Sequence, residues 1–582
     1  MDDLLHPRAS VGTALLTNVL ARRRTSLDGP WRTIVDPYDT GYVNILGERN
    51  RRGYFRDHRP RHAGDRVEYD FDGSPELVVP GDWNTQRPEL LLYEGTVWYR
   101  RHLDIDDHES GRTFLHIGAA NHTTRVFLDG EELATHVGGF SPFAVELTGR
   151  LAPGRHSLIL QVNNRRERTR IPAMRTDWWN FGGITRSVDL VHVPSTFLSD
   201  AWLTMAPDGR LVGGAVVDGD ESTPVVVEIP AADIRAEVRD GTVEVAAEIA
   251  AELDRWDPGA PVHHLVRWSC GDDVIEDLVG FRTVETRGNR LLVNGRETYL
   301  RGISLHAEAL GGGRRAHGPD DAASLIDLVE ELGCNFVRLA HYQHDEHIVR
   351  EADRRGLLIW AEVPVYWGIA FDDPQVLDEA LSQIDELVVR DRGRAGVILW
   401  SIANETLVGP ERTRFLSTLA ERARRLDPTR LVTAALLTLM SNDPVVHIDD
   451  PLGAIVDVIA VNQYLGWYYG DVASLPDVRY STSFGKPVVV SALGAGAKFG
   501  RHGAAGAVWA EAHQAAVYDA QIAMIREQAD CVGLSPWILK DFRTPMRVLP
   551  GVQDGYNRKG LVSEEGDRKL AFDVLRSFYR SF

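Results

Sequence analysis

The stretch Gly396-Val-Ile-Leu-Trp-Ser-Ile-Ala-Asn-Glu405 decides how this chain is read. Its apolar run, Val397 to Trp400, is too short for a helix of its own and starts at a glycine. That is the pattern of a strand buried on both faces. The run ends in an amide and a carboxylate, Asn404 and Glu405. Parallel α/β barrels place their catalytic groups at the C-terminal ends of such strands. An isolated Asn-Glu is more often a solvated strand end, so the flanking chain must carry the argument.

Outward from this stretch, strands and helices alternate over residues 285–582. Apolar runs predict strands at 299–305, 335–340, 357–361, 397–402, 431–435, 456–461, 487–491 and 533–538. Helical periodicity covers 322–332, 375–392, 412–425 and 507–528. Eight such units predict a (β/α)8 barrel. The predicted strand ends collect His306; Arg338, His341 and Tyr342; Glu362; Asn404 and Glu405; Asn462, Tyr464, Trp467 and Tyr468; and Trp537, Lys540 and Asp541. Each of these alone is usually structural. Together on one rim they predict a pocket whose aromatics suit sugar faces and whose polar tips suit hydroxyls.

Residues 1–195 carry short alternating runs around 96–103, 113–117, 124–128 and 157–162, with Asp129-Gly130 as a tight-turn signal, and predict a β-sandwich of the jelly-roll kind. The Arg-, Asp- and Gly-rich segment 41–73 reads as a long surface loop. Asp177-Trp-Trp-Asn-Phe-Gly-Gly183 leaves two readings open, packing at a domain interface and stacking on a sugar. Residues 196–284 predict a smaller immunoglobulin-like sandwich, with 280–285 as its last strand. The expected class is therefore multidomain, all-β followed by α/β.

A formal net charge of −20 argues against nucleic acid and anionic membranes as partners. An anionic substrate would need a locally positive pocket. Cys270, Cys334 and Cys531 are too few and too scattered for a disulfide framework or a metal site. The acidic start, Met1-Asp-Asp, and the lack of any long apolar run predict a cytoplasmic protein with neither signal peptide nor membrane span.

Leu399-Trp-Ser-Ile-Ala-Asn-Glu405 resembles the acid/base motif of glycoside hydrolase family 2. Tyr93-Glu-Gly-Thr-Val-Trp-Tyr-Arg100 and Asp177-Trp-Trp-Asn-Phe-Gly-Gly-Ile184 resemble that family's N-terminal sandwich. Leu300-Arg-Gly-Ile-Ser-Leu-His306 and Val337-Arg-Leu-Ala-His-Tyr342 resemble its first two barrel strands. Asn557-Arg-Lys-Gly560 and Asn462-Gln-Tyr-Leu-Gly-Trp-Tyr468 are similar to its β-glucuronidase branch.

The resemblance implies a retaining exo-β-glycosidase that needs no metal or cofactor and is expected to be a homo-oligomer. In it Glu405 is the acid/base, Asn404 holds the 2-hydroxyl and Tyr464 orients the nucleophile. Asn557 and Lys559 bind the sugar carboxylate, with a weaker match at Arg547. Asp177, His306, His341, Asn462, Trp467, Tyr468, Trp537 and Lys540 complete the expected substrate-binding set. The sequence departs from the pattern at Lys486-Pro-Val-Val-Val-Ser-Ala-Leu-Gly494, where Ala492 stands in place of the nucleophilic glutamate. Every other matched residue is present, so a deliberate Glu→Ala replacement explains this better than the decay of a pseudoenzyme. Two alternatives remain: a family-2 β-galactosidase or galactofuranosidase, and a non-catalytic carbohydrate-binding homologue.

Overall fold

Burial on both faces organises the C-terminal half of the protein. In the computed structural model, which describes residues 9–57, 62, 64, 67, 70–106, 110–438 and 444–582, eight parallel strands close into a barrel. They are β1 (Leu300–Leu305), β2 (Phe336–Leu339), β3 (Leu358–Glu362), β4 (Val397–Asn404), β5 (Leu431–Leu437), β6 (Val458–Asn462), β7 (Val488–Ala492) and β8 (Cys531–Leu534). All eight residues of β4 are buried, as its continuous apolar run requires. The ring closes where Leu300 of β1 pairs with Gly533 of β8. The apolar run expected to extend β8 to residue 538 leaves the ladder after Leu534.

The surrounding helices start and stop on local chemistry. Helix α1 (Pro374–Asp391) has Pro374 in its first turn, and the Asp373 carboxylate caps it by accepting from the backbone N–H of Gln375. Its buried positions include Val376, Ala380, Ile384, Leu387 and Val388, the spacing of one helical face. Helix α2 (Pro410–Leu426) repeats the device, with Pro410 at its start and Phe415, Leu416, Leu419, Ala420 and Ala423 turned inward. Among the described residues, the crossovers from β5 to β6 and from β6 to β7 carry no α-helix; they hold the 3-10 turns Pro451–Ala454 and Val472–Asp477 and the short strands Val445–Ile448 and Arg479–Thr482, which pair in parallel with each other.

Upstream, a six-stranded and a four-stranded antiparallel sheet enclose the first sandwich core, which includes Trp31, Trp83, Val97, Tyr99, Leu115 and Leu160. Asp129 and Gly130 both adopt positive φ, 49° and 86°, between strands Thr123–Leu128 and Glu131–Val137, as a two-residue hairpin turn demands. The expectation of a surface loop at 41–73 needs correction where that segment is described. Tyr42, Val43, Phe55 and Phe71 are buried against Trp98, Phe127 and Ile159 and form a second apolar layer outside the sheet. Residues 58–61, 63, 65, 66, 68 and 69 of that segment, and the acidic start within residues 1–8, lie outside the described residues.

The second sandwich pairs a three-stranded with a four-stranded sheet. Its expected last strand, 280–285, does not join either. Phe281 enters the sandwich core, Arg282 donates to the carbonyls of Ala395 and Val397 below the barrel, and Val284–Arg287 pairs with Arg290–Val293 instead. A side chain at Gly280 would run into Trp256 and Ala395, which is why the chain crosses here on glycine. No helix among the described residues is long and apolar enough to cross a membrane.

Candidate active site

A cavity of about 410 Å3 opens at the C-terminal rim of the barrel. Asn404 and Glu405 enter it from the end of β4, Asn462 and Tyr464 from β6, His341 from β2 and Trp537 from beyond β8. Asp177 reaches it from the first sandwich, so the cavity is built by two domains.

Glu405 stands in the left-handed region, with φ of 51°, as the chain turns out of β4. This is a costly conformation for a residue with a side chain, held here by a backbone hydrogen bond to the carbonyl of Ala435 at 2.8 Å. Its carboxylate accepts from Trp367 Nε1 at 2.9 Å and from the amide of Asn404 at 3.4 Å. Asn404 is held in turn: its Oδ1 accepts from Arg338 at 2.8 Å and from Asn462 at 3.1 Å, and Ser491 donates to Asn462 at 2.7 Å.

Arg338 and Glu362 form an ion pair with no solvent exposure beneath these groups. Trp360, Ser401 and His341 also converge on the Glu362 carboxylate. Burial alone would raise the Glu362 carboxyl, but the charge of Arg338 and the His341 hydrogen bond hold it down, at about 2. Burial pushes the His341 imidazole below its ordinary value despite that carboxylate. A fixed, ionised underlayer thus orients the amides facing the cavity.

Ala492 ends β7 opposite Asn462. It is wholly buried among Tyr366, Tyr464 and Trp537 and does not itself line the cavity. Burial, followed by the charge of Glu405, pushes the Tyr464 hydroxyl well above the usual phenol value, so it stays protonated as a donor.

The other end of the cavity is cationic. Lys559 is 5% exposed, and among the described residues it has no carboxylate partner. Its ammonium donates to the Tyr468 hydroxyl at 2.5 Å and lies 4.5 Å from that ring and 5.2 Å from the ring of Tyr464. Arg547 pairs with Asp177 at 2.9 Å, and Asn557 and Thr544 donate to the same carboxylate. Burial opposes ionisation of the Tyr468 hydroxyl, yet Lys559 and Arg547 together pull it below the ordinary phenol value.

Four expected positions need correction. His306 does not line the cavity: its Nδ1 faces the Tyr342 hydroxyl, and Phe542 and Trp537 pack over its ring. Lys540 turns away to Glu308, because the chain has left β8 and no longer alternates about the rim. Trp467 and Asn557 line an adjoining chamber instead. Of the two readings of Trp178 and Trp179, interface packing is the one observed. Trp178 is buried against His341 and Tyr366, and the Trp179 backbone donates to the carbonyl of Arg543. The sequence reading missed Tyr366, Trp367, Leu437, Thr438 and Tyr469, all of which line the cavity. The first two, in Val363-Pro-Val-Tyr-Trp367, follow β3 directly, and that position was their available signal.

Family models match two parts of the chain: residues 25–194 match "Glycosyl hydrolases family 2, sugar binding domain" and residues 284–556 match "Glycosyl hydrolases family 2, TIM barrel domain". The chain belongs to glycoside hydrolase family 2. A relative in this family, a β-glucuronidase of Paenibacillus borealis, is 27% identical, with 96% of this chain and 97% of the relative covered. The β-glucuronidase of Homo sapiens is 26% identical over 96% of this chain and 91% of its own length. The solved structure of Faecalibacterium prausnitzii β-glucuronidase superimposes with a TM-score of 0.82 at 25% identity, covering 97% of this chain and 98% of that one. The two-domain cavity is thus that of a family-2 glycoside hydrolase. Among its described residues no group of three or more His, Cys, Asp or Glu side chains is arranged to hold a metal ion.

Proposed function

We propose that this protein recognises the terminal β-D-glucuronyl group of a glucuronide, and that its fold is that of a retaining β-glucuronidase whose nucleophile position is occupied by Ala492. The observation that carries the reading is Lys559, a buried cation that lines the cavity without a carboxylate partner among the described residues. A buried charge left unpaired is costly, and a uronate carboxylate would supply the missing anion. The β-glucuronidase relatives support the same substrate class.

In this reading Glu405 protonates the glycosidic oxygen, and Asn404, braced by Arg338 and Asn462, holds the 2-hydroxyl. A glutamate at 492 would attack the anomeric carbon, expelling the aglycone as its oxygen takes the Glu405 proton. Water, deprotonated by Glu405, would then release the sugar with its configuration retained. Arg547 and Asn557 act at one remove, clamping Asp177 beside the carboxylate end. With alanine at 492 the first displacement has no nucleophile, so the chain binds substrate and turns it over very slowly.

The test is the Ala492→Glu variant offered nitrophenyl β-glucuronide, β-galacturonide and β-galactoside. The glucuronide should be hydrolysed best. Preference for the galactoside would favour the β-galactosidase or galactofuranosidase reading. No hydrolysis of any of them, with sugar binding retained, would favour a carbohydrate-binding protein. A cytoplasmic location and a homo-oligomeric state belong to the same proposal, checked by cell fractionation and light scattering.

A further inference from the structure

Lys559 owes its place to its neighbours in the chain. Its ammonium stands at the end of a flexible four-carbon stem, so where it points depends on how firmly the backbone beneath it is held. That backbone, the turn Asn557-Arg-Lys-Gly560, is held on both sides of Lys559 by one carboxylate. Asp541 is wholly buried and takes no part in lining the cavity. Its Oδ1 accepts from the Gly560 N–H at 2.9 Å and from Lys569 Nζ at 2.7 Å, and its Oδ2 accepts from Arg558 Nη1 at 3.1 Å. Lys569 completes the clamp. Its ammonium also donates to the carbonyls of Ala497, at 2.7 Å, and Arg558, at 3.3 Å, which joins the turn to the chain beyond β7. The fit is close: a side chain at Gly560 would come within 2.1 Å of the Asp541 backbone nitrogen, so glycine is what lets the carboxylate approach.

Which residues this carboxylate touches has a chemical meaning. A carboxylate placed on Lys559 itself would compete with the anion of the sugar. Asp541 instead binds the residue before Lys559 and the residue after it, and leaves the ammonium to the Tyr468 hydroxyl. Two buried cations, Lys569 and Arg558, meet on Asp541, and Glu564 supplies a second anion through Arg558. The charges of the clamp thus balance among themselves, and the charge of Lys559 stays available. We propose that Asp541 is a positioning residue for uronate recognition: it fixes the turn that carries Lys559 and so sets the preference for a carboxylate-bearing sugar without touching it. A displacement of about 1 Å in a positioned group is enough to cost ~10²-fold.

This inference rests on the glucuronide reading, and a pair of ligands separates the two. Calorimetric titration of the chain as it stands would compare phenyl β-D-glucuronide with phenyl β-D-glucoside. The unaltered chain should prefer the glucuronide; without that preference the glucuronide reading falls and the role of Asp541 falls with it. Asp541→Asn keeps an acceptor for Gly560 and weakens the hold on both cations. It should cut affinity for the glucuronide at least tenfold and for the glucoside less than threefold. Lys569→Met leaves Asp541 paired with Arg558, so it strands no buried carboxylate and covers the case in which Asp541→Asn fails to fold. It should reduce the preference threefold or more. In a Lys559→Ala background neither substitution should lower glucuronide affinity further, because the cation that the clamp positions is gone. A preference that survives in the folded variants, equal losses on the two sugars, or losses that persist in full without Lys559 would show that the clamp only supports the fold, and would overturn the proposal.

Discussion

The indole N–H of Trp367 donates to the Glu405 carboxylate at 2.9 Å, across the turn by which the chain leaves β4. Glu405 already sits on a left-handed backbone, so this bond is what fixes the direction of its side chain. Trp367→Phe keeps the packing and removes the donor. A hydrogen bond to a charged group is worth about 1.5–3 kcal/mol, roughly ten- to a hundredfold in rate. In the Ala492→Glu background, hydrolysis of a phenyl glucuronide, whose poor leaving group needs protonation, should fall by that factor. A dinitrophenyl glucuronide, which needs little acid assistance, should be cleaved nearly as before. Equal losses on both would show that Trp367 supports the pocket and not the acid.

Lys559 provides a test of sugar class. In the Ala492→Glu background, Lys559→Ala should cost about ten- to a hundredfold on a glucuronide and far less on the matched glucoside. The comparison is of kcat/KM on nitrophenyl substrates. Similar losses on charged and neutral sugars would remove the uronate assignment.

The alanine at 492 invites chemical rescue. It lies buried beside Tyr464 and Trp537 at the end of β7. In the proposed reading a glutamate there would act on the face opposite the leaving group, so azide should take its place and attack the anomeric carbon of dinitrophenyl β-glucuronide directly, releasing the phenolate. One displacement inverts the centre, so proton NMR should identify the α-glycosyl azide. The β anomer would place the nucleophile on another residue. Restoring Ala492→Glu should raise hydrolysis by ~10³-fold or more.

Stability should fall in acid from several buried groups at once. Burial pushes His341 down, His344 to about 3 and His116 to about 4. Glu362 is held at about 2 by Arg338 and His341 against the opposing effect of its burial. All of these bind protons more weakly folded than unfolded, so the unfolded chain takes up more protons and stability rises with pH. The histidine contribution is complete above about pH 6.5 and is lost below it; the Glu362 contribution is complete above about pH 4.3 and is lost towards 2. Thermal midpoints should therefore be level near neutrality, decline below about pH 6.5 and steepen below about pH 4.3. Glu362→Gln strands Arg338 and should cost about 3–5 kcal/mol at pH 7, measured by urea unfolding. A loss under 1 kcal/mol would mean that water reaches the pair.

Buried strands announce themselves, and seven of the eight barrel strands coincide closely with their apolar runs. The eighth misleads because Trp537 and Ile538 are apolar for another reason: after the ladder has ended, Trp537 lines the cavity and Ile538 is buried in the cluster beside it. The same departure explains Lys540, whose place next to the rim says nothing of where its side chain turns. Glu405 was legible because a carboxylate ending an apolar strand is conspicuous. Trp367 was not, since it lies in a loop without period. Nor could any local pattern reveal that Asp177 meets Arg547 and Asn557.

Those last contacts span 370 and 380 positions of sequence. Asp177 belongs to the first sandwich, and Arg547 and Asn557 to the segment that follows the last barrel strand. The cavity therefore doubles as a fastener between two domains. A sugar that fills it should tighten their union, so that bound ligand slows proteolysis between the sandwich and the barrel.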